Sequence, residues 1–298
     1  MAYTTGTKRR KLIAIVTAML CIAVFVFCLI NSDVNISISA NSGLSKEDYV
    51  KILDVGQGDS ILIYSNGFSA LIDTGPEDSA NELCAALQEG GIKSIDVLFL
   101  THLHYDHTGG VSRLFEKFTV KNLILPELST NSEGIYSAQL AINEVTRSGG
   151  GVYSAVQGMN LNLGDFEITV IGDYDKMEDE NNRSLIIMAK IQNRKFLFAG
   201  DAEIKTENAL IADNLDIRCD VLKVAHHGSL TSTSEPFIKE AAPKYAAISV
   251  GKGNFYGHPH KEVINTLKKH KVKIYRTDKN GDITFYIKKG NITVMTER

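Results

Sequence analysis

Six consecutive residues, His102-Leu103-His104-Tyr105-Asp106-His107, carry three imidazoles and one carboxylate, and they restrict the fold more than any other stretch. They follow directly on the apolar run Ile95-Asp96-Val97-Leu98-Phe99-Leu100, which predicts a buried strand. The cluster therefore sits at a strand end, where ligands collect in open α/β sheets. Imidazole nitrogen and carboxylate oxygen are the donors preferred by zinc and its first-row neighbours. Four such donors in so short a turn exceed what one tetrahedral ion takes from a single segment, so two ions are expected. The bland alternative is a polar turn that happens to be rich in histidine. All eight histidines lie at 102, 104, 107, 226, 227, 258, 260 and 270. The groups that complete a metal site must then come from the late clusters or from carboxylates.

The same ending recurs along the chain. The strand expected over residues 195–199 runs into Gly200-Asp201-Ala202-Glu203, and that over 221–225 into His226-His227-Gly228-Ser229. A weaker repeat takes residues 245–250 into a loop holding Tyr256-Gly257-His258-Pro259-His260. Polar clusters that each cap a strand are one site viewed in sequence. Between them, strands are expected over 49–55, 60–64 and 68–73, the last two joined by a hairpin at Ser65-Asn66-Gly67. Helical periodicity covers 79–89, 111–117, 137–147, 203–214 and 261–270. Further strands are expected over 122–125, 152–156, 166–171, 185–189, 273–275 and 283–287, and the acidic run 173–180 reads as a solvated loop. Both halves show hairpins, then a helix, then a ligand strand. That order predicts an α/β fold, a four-layer αββα sandwich.

The N-terminus is of a different kind. Lys8-Arg9-Arg10-Lys11 precedes residues 12–30, which contain no charge. A helix of that length covers about 28 Å, close to the thickness of a bilayer core. Residues 1–11 are thus expected to be a cytoplasmic basic head, 12–30 a transmembrane anchor or uncleaved signal, 31–46 a linker and 47–298 the exported domain. The protein would be single-pass in the cell membrane with its domain extracytoplasmic. The formal net charge of −3 gives no global basic field to attract nucleic acid. Only Cys84 and Cys219 follow the apolar run, which excludes a disulfide framework.

With these residues in view, the chain resembles the metallo-β-lactamase fold hydrolases, whose hallmark is HxHxDH. Leu53-Asp54-Val55-Gly56-Gln57-Gly58-Asp59-Ser60, Asn182-Arg183-Ser184-Leu185, Phe198-Ala199-Gly200-Asp201 and Lys223-Val224-Ala225-His226-His227-Gly228-Ser229 narrow the match. Together with Tyr256-Gly257-His258-Pro259, they resemble the branch that includes the extracellular hydrolase domain of ComEC-type DNA-uptake proteins and the phosphorylcholine esterases. The likeness runs from about Asp48 to the C-terminus and is specific for the branch, not for a substrate. It implies that His102 and His104 bind a first ion, that Asp106 and His107 bind a second, and that Asp201 bridges both. One of His226 and His227 completes the second site, with His227 favoured and His226 left to face substrate. Many members add a histidine to the first site near Asn181-Asn182, and this chain has none there. The first ion, zinc or manganese, is therefore expected to be held incompletely.

A divalent ion lowers the pKa of bound water toward 7 and neutralises phosphoryl oxygens, which favours a phosphate ester as substrate. Asp106 would serve as ligand, with His226 and His258 bonding the phosphate or protonating the leaving group. Asp59 reads either as orienting a ligand histidine or as capping its turn, and Asp73 as fixing the turn beneath the site. The leading expectation is an anchored phosphodiesterase acting on single-stranded DNA or a cell-wall phosphodiester. The alternatives are a lactonase or β-lactamase, and a non-catalytic binding module. With one apolar run the polypeptide cannot conduct DNA, so a role in uptake would need a separate membrane channel protein.

Overall fold

The structure is a computed structural model that describes residues 35–38 and 48–298. The expected anchor at 12–30 and most of the linker lie outside the described residues. Among the described residues no helix is long and apolar enough to cross a membrane.

After β1 (Asn35–Ile38), strands β2 (Asp48–Ile52), β3 (Ile61–Ser65) and β4 (Phe68–Ile72) form an antiparallel meander. The turn Asn66-Gly67 has φ of 51° and 90°, the positive pair a two-residue hairpin demands. Helix α1 (Ala80–Glu89) leads to β5 (Ser94–Ile95) and β6 (Val97–Phe99). Then come α2 (Tyr105–Thr108), α3 (Val111–Lys117), β7 (Thr119–Val120), β8 (Asn122–Leu125), α4 (Ile135–Arg147) and β9 (Gly151–Ser154). The second half is built alike, from β10 (Asn160–Leu163), β11 (Phe166–Gly172), β12 (Ile186–Ile191) and β13 (Arg194–Phe198). It continues through α5 (Ile204–Ala212), β14 (Val221–Lys223), α6 (Glu235–Ala241), β15 (Tyr245–Ile248), α7 (Lys261–Lys269) and β16 (Lys273–Arg276). Helix α8 (Thr277–Asn280), β17 (Ile283–Lys288) and β18 (Asn291–Thr296) end the chain.

One sheet has the order β18-β17-β2-β3-β4-β6-β8-β9, and the other, from β10, runs β10-β11-β12-β13-β14-β15-β16. Each begins antiparallel and turns parallel, at β4 in the first and at β13 in the second. The shared plan is the two-half order of parts expected from sequence. Strands β17 and β18 return to the first sheet beside β2.

Strand alternation sorts side chains into three apolar layers. Ile61 and Ile63 of β3, with Phe196 and Phe198 of β13, fill the layer between the sheets. Leu62 and Leu98 point the other way, under α1, α3 and α4. Met188, Leu197 and Leu222 pack under α5, α6 and α7. Strands buried on both faces read as unbroken apolar runs, which is why they were visible in sequence. The layers make the αββα sandwich.

Four details differ from the expectation. The first strand stops at Ile52, and residues 53–59 form a loop whose Gly58 and Asp59 abut the turn at Asp106. Strand β10 carries asparagine at alternate positions, and β18 is a half-exposed edge. Helix α6 is a short element that starts with Pro236 in its first turn and a Ser234 hydroxyl accepting from the Phe237 N–H. The free cysteines Cys84 and Cys219 are buried in different layers.

Candidate metal centre

The site gathers at the C-terminal ends of β4, β6, β13, β14 and β15, neighbours in the parallel parts of the two sheets. Asp73, just past β4, accepts hydrogen bonds from the Thr101 N–H (2.8 Å) and hydroxyl (2.6 Å) just past β6. The chain then coils into the single turn α2, which sets Asp106 and His107 side by side. Gly58 lies against this turn; a Cβ there would come within 2.3 Å of the Asp106 carbonyl oxygen. The next residue, Asp59, donates its N–H to that same oxygen at 3.2 Å. Asp201 follows β13. His226 and His227 follow β14, both with positive φ (48° and 52°). Such backbone is unfavourable for non-glycine residues and persists where surrounding bonds enforce it.

Donor atoms of Asp106, His107, Asp201 and His227 lie within 4.8 Å of one another. The His107 Nδ1 is 2.7 Å from Asp73 Oδ2, which leaves Nε2 facing Asp201 Oδ1 at 3.3 Å. His227 is held the same way: Nδ1 donates to the Ser249 carbonyl at 3.0 Å, and Nε2 lies 3.1 Å from Asp106 and 3.5 Å from Asp201. Each ring is thus fixed from behind through Nδ1 and presents Nε2 to a shared space, the arrangement metal-binding imidazoles adopt. His107 Nε2 and Asp201 Oδ1 are buried, face each other without hydrogen-bond geometry and have no other partner. Bare buried donors are costly, and a divalent ion among these four side chains would satisfy both. The residues present fit such a group.

His102 and His104 adjoin this cluster but stand outside the four-donor set. Their rings meet through Nε2 and Nδ1 at 3.1 Å, and the His102 ring centre is 4.2 Å from that of His107. Asn182 is buried, and its carboxamide oxygen accepts from the Thr206 hydroxyl (2.9 Å) and N–H (3.3 Å). Its amide group donates to Glu203 at 3.2 Å, so the side chain braces α5.

Charge is distributed to match. Burial works against ionisation of Asp201, but His227 and His107 overcome it and hold the carboxyl well below the usual range. Asp106 is also lowered, with His107 and His227 outweighing burial. Reciprocally, burial presses on both imidazoles, yet Asp201 and Asp73 keep His107 well above its ordinary value, and Asp201 and Asp106 bring His227 up to about 10. Burial and the neighbouring His107 push His102 well down, leaving a neutral ring. Burial, His227 and His226 lower His258 to about 4.

His226 stands beside the cluster. Thr231 binds its Nδ1 at 3.1 Å, and its Nε2 is 4.0 Å from Asp201. The His258 ring is 5.7 Å from that of His226 and 6.4 Å from that of His227. Of the pair 226–227, it is therefore His227 that enters the donor set. Sequence reasoning missed the Asp73–His107 bond, although an aspartate ending a strand before Thr74-Gly75 was a usable signal. It also missed Lys223, fully buried with its ammonium 2.7 Å from Asp59 Oδ2 and donating to the Val224 carbonyl at 2.9 Å. Asp59 Oδ1 lies 3.5 Å from His227 Nδ1. Through Asp59, this ion pair links the turn holding Asp106 to the strand before His227. A lone lysine in Val221-Leu222-Lys223-Val224 gives no sign of that.

A family model described as the Metallo-beta-lactamase superfamily matches residues 53–252. Similar curated proteins include ComE operon protein 3 of Bacillus subtilis strain 168, 32% identical over 265 residues, covering 82% of this chain and 34% of that protein. Competence protein ComA of Neisseria gonorrhoeae is 29% identical over 83% of this chain and 33% of its own length. Recombination protein 2 of Haemophilus influenzae is 32% identical over 80% and 29%. The chain spans about a third of the length of these relatives. Among solved structures, the metallo-beta-lactamase fold protein YhfI from Bacillus subtilis superposes with a TM-score of 0.55 at 13% identity, over 80% of this chain and 100% of that one. CmlA, a diiron beta-hydroxylase from Streptomyces venezuelae, gives 0.57 at 14%, over 83% and 55%. At such identities the likeness establishes the fold alone.

Proposed function

The chain belongs to the metallo-beta-lactamase superfamily, and on that footing we propose that it is a metal-dependent phosphodiesterase, anchored by residues 12–30 with its domain outside the cell. The observation that carries this reading is the set Asp106, His107, Asp201 and His227, whose donors converge, with His107 Nε2 and Asp201 Oδ1 facing each other and meeting no other group. Divalent ions bound there, zinc or manganese, would make hydroxide available near neutral pH and offset charge on the phosphoryl oxygens.

Side chains of the protein do the rest. Asp73 and Ser249 keep the His107 and His227 rings oriented through Nδ1. Thr231 fixes His226 so that Nε2 is turned toward the centre, where it can bond a phosphoryl or departing oxygen. His258, neutral at pH 7, offers a second hydrogen bond on the same side. His102 and His104 form a second, weaker position, since Asn182 is committed elsewhere. The two substrates in view are single-stranded DNA and a cell-wall phosphodiester; with DNA, a separate membrane channel protein would be the partner.

The test uses the full chain in detergent with zinc or manganese, given bis-p-nitrophenyl phosphate, a chromogenic cephalosporin and a fluorescent oligonucleotide. Phosphodiester turnover that disappears in Asp201→Asn is the expected outcome. Cephalosporin turnover without phosphodiester turnover would overturn the assignment in favour of a carbon-centred hydrolase. No turnover of any of the three would favour a binding module.

A further inference from the structure

The loop after β15 carries a series of rings that leads outward from the metal centre. His258 lies nearly parallel to His227, with an interplanar angle of 28° at 6.4 Å. Tyr256 stacks on His258 at 5.5 Å and 23°. Tyr256 is 68% exposed, and Phe255 beside it is wholly exposed. Single exposed aromatics are ordinary. Tyr256 differs in standing at the end of a series of rings that leads through His258 to His227, and Phe255 precedes it in the same loop. They are also held in place: the Asn254 side chain donates to the Gly251 (3.0 Å) and His258 (2.8 Å) carbonyls and accepts from the His258 N–H at 3.0 Å.

Carboxylates gather beside His104, and another, Glu203, meets His226 Nδ1 at 3.4 Å. Next to His104, Tyr105 donates its hydroxyl to Glu77 and its N–H to Glu133, and the Leu103 N–H donates to Glu180. That rim repels an anionic chain. Residues 251–261 contain Lys252 and Lys261 and no carboxylate. An extended phosphodiester seated at the centre would therefore leave across Phe255 and Tyr256.

We propose that Phe255 and Tyr256 are a stacking platform for a nucleobase adjoining the cleaved phosphate, so that the substrate is an unpaired polynucleotide and not a polyol phosphate of the cell wall. This rests on the phosphodiesterase reading. A base free of a duplex has an open face to offer, and stacking on an aromatic side chain is tolerant of base identity. A polyol phosphate has no planar group to place there.

Two strands of equal length and charge test it: oligothymidine, and one with abasic sites throughout. Binding to the full chain is read by fluorescence anisotropy, and hydrolysis is followed with zinc or manganese. Oligothymidine is expected to be favoured about fivefold to hundredfold, the range for one stacked base. That preference should shrink toward unity in Phe255→Ala and Tyr256→Ala and survive in Tyr256→Phe, which keeps the ring. Equal binding and cleavage of the two strands by the unmodified protein would overturn the proposal, and no variant is needed for that comparison. If no phosphodiester is cleaved the enzymatic reading fails, while the binding preference still decides whether the platform exists.

Discussion

Replacing Lys223 by methionine removes a buried ammonium of similar length and leaves Asp59 as a buried carboxylate without its ion-pair partner. Both side chains are almost fully shielded from water, and they meet at 2.7 Å. Breaking such a pair by deleting one member costs about 3–5 kcal/mol, because the surviving charge cannot reach solvent and keeps beside it only His227 Nδ1, at 3.5 Å and already bonded to Ser249. For a domain of this size each kcal/mol moves the melting temperature by about 2–4 °C, so a fall of about 6–20 °C is expected. Combining Lys223→Met with Asp59→Asn removes the orphaned charge and should recover most of the loss. The assay is urea denaturation of the chelated full chain, followed by circular dichroism, with the midpoint shifting at constant slope. A Lys223→Met protein within about 1 kcal/mol of the parent would refute the reasoning, as would a double variant whose loss is the sum of the two singles.

Further outcomes follow from the same geometry. Asp73→Asn leaves the His107 ring without its carboxylate and should weaken zinc or manganese binding about 10- to 100-fold, read by calorimetry; unchanged affinity would contradict the role given to Asp73. Asp201→Asn should abolish tight binding, so that metal analysis after dialysis finds no retained ion; retention equal to the parent would remove Asp201 from the ligand set. His227, brought up to about 10 in the metal-free protein against an ordinary 6.5, contributes stability that is full below about 6.5 and is lost as pH rises through about 10. Asp106 and Asp201, both lowered, contribute stability present above about 3.8 and lost as pH falls through their folded values. The chelated protein should therefore melt progressively lower on the alkaline side, with a smaller slope in His227→Gln; a flat profile would contradict this. Metal affinity should rise over the same alkaline range, because the ion displaces the proton on His227.

Much of this molecule was legible in one dimension. Alternating and continuous apolar runs announced the strands because burial on one or both faces is a local pattern, and the short run His102, His104, Asp106 and His107 announced a candidate metal site, of which Asp106 and His107 join the convergent donor set. The recurrence of polar clusters after strands picked out the segments that hold Asp201 and His227, whose donor atoms converge with those of Asp106 and His107. What stayed hidden was relational. Nothing local distinguishes His227 from His226; the difference is that Ser249 captures one ring and Thr231 the other. Asp106 and His227 are 121 positions apart, and the Asp59–Lys223 pair that bridges their segments exists only once two sheets have packed face to face. Residue types and their spacing thus determined which chemistry the chain carries. Tertiary structure decided which atoms face each other and which are spent holding the others still, since orientation depends on contacts that no single segment contains.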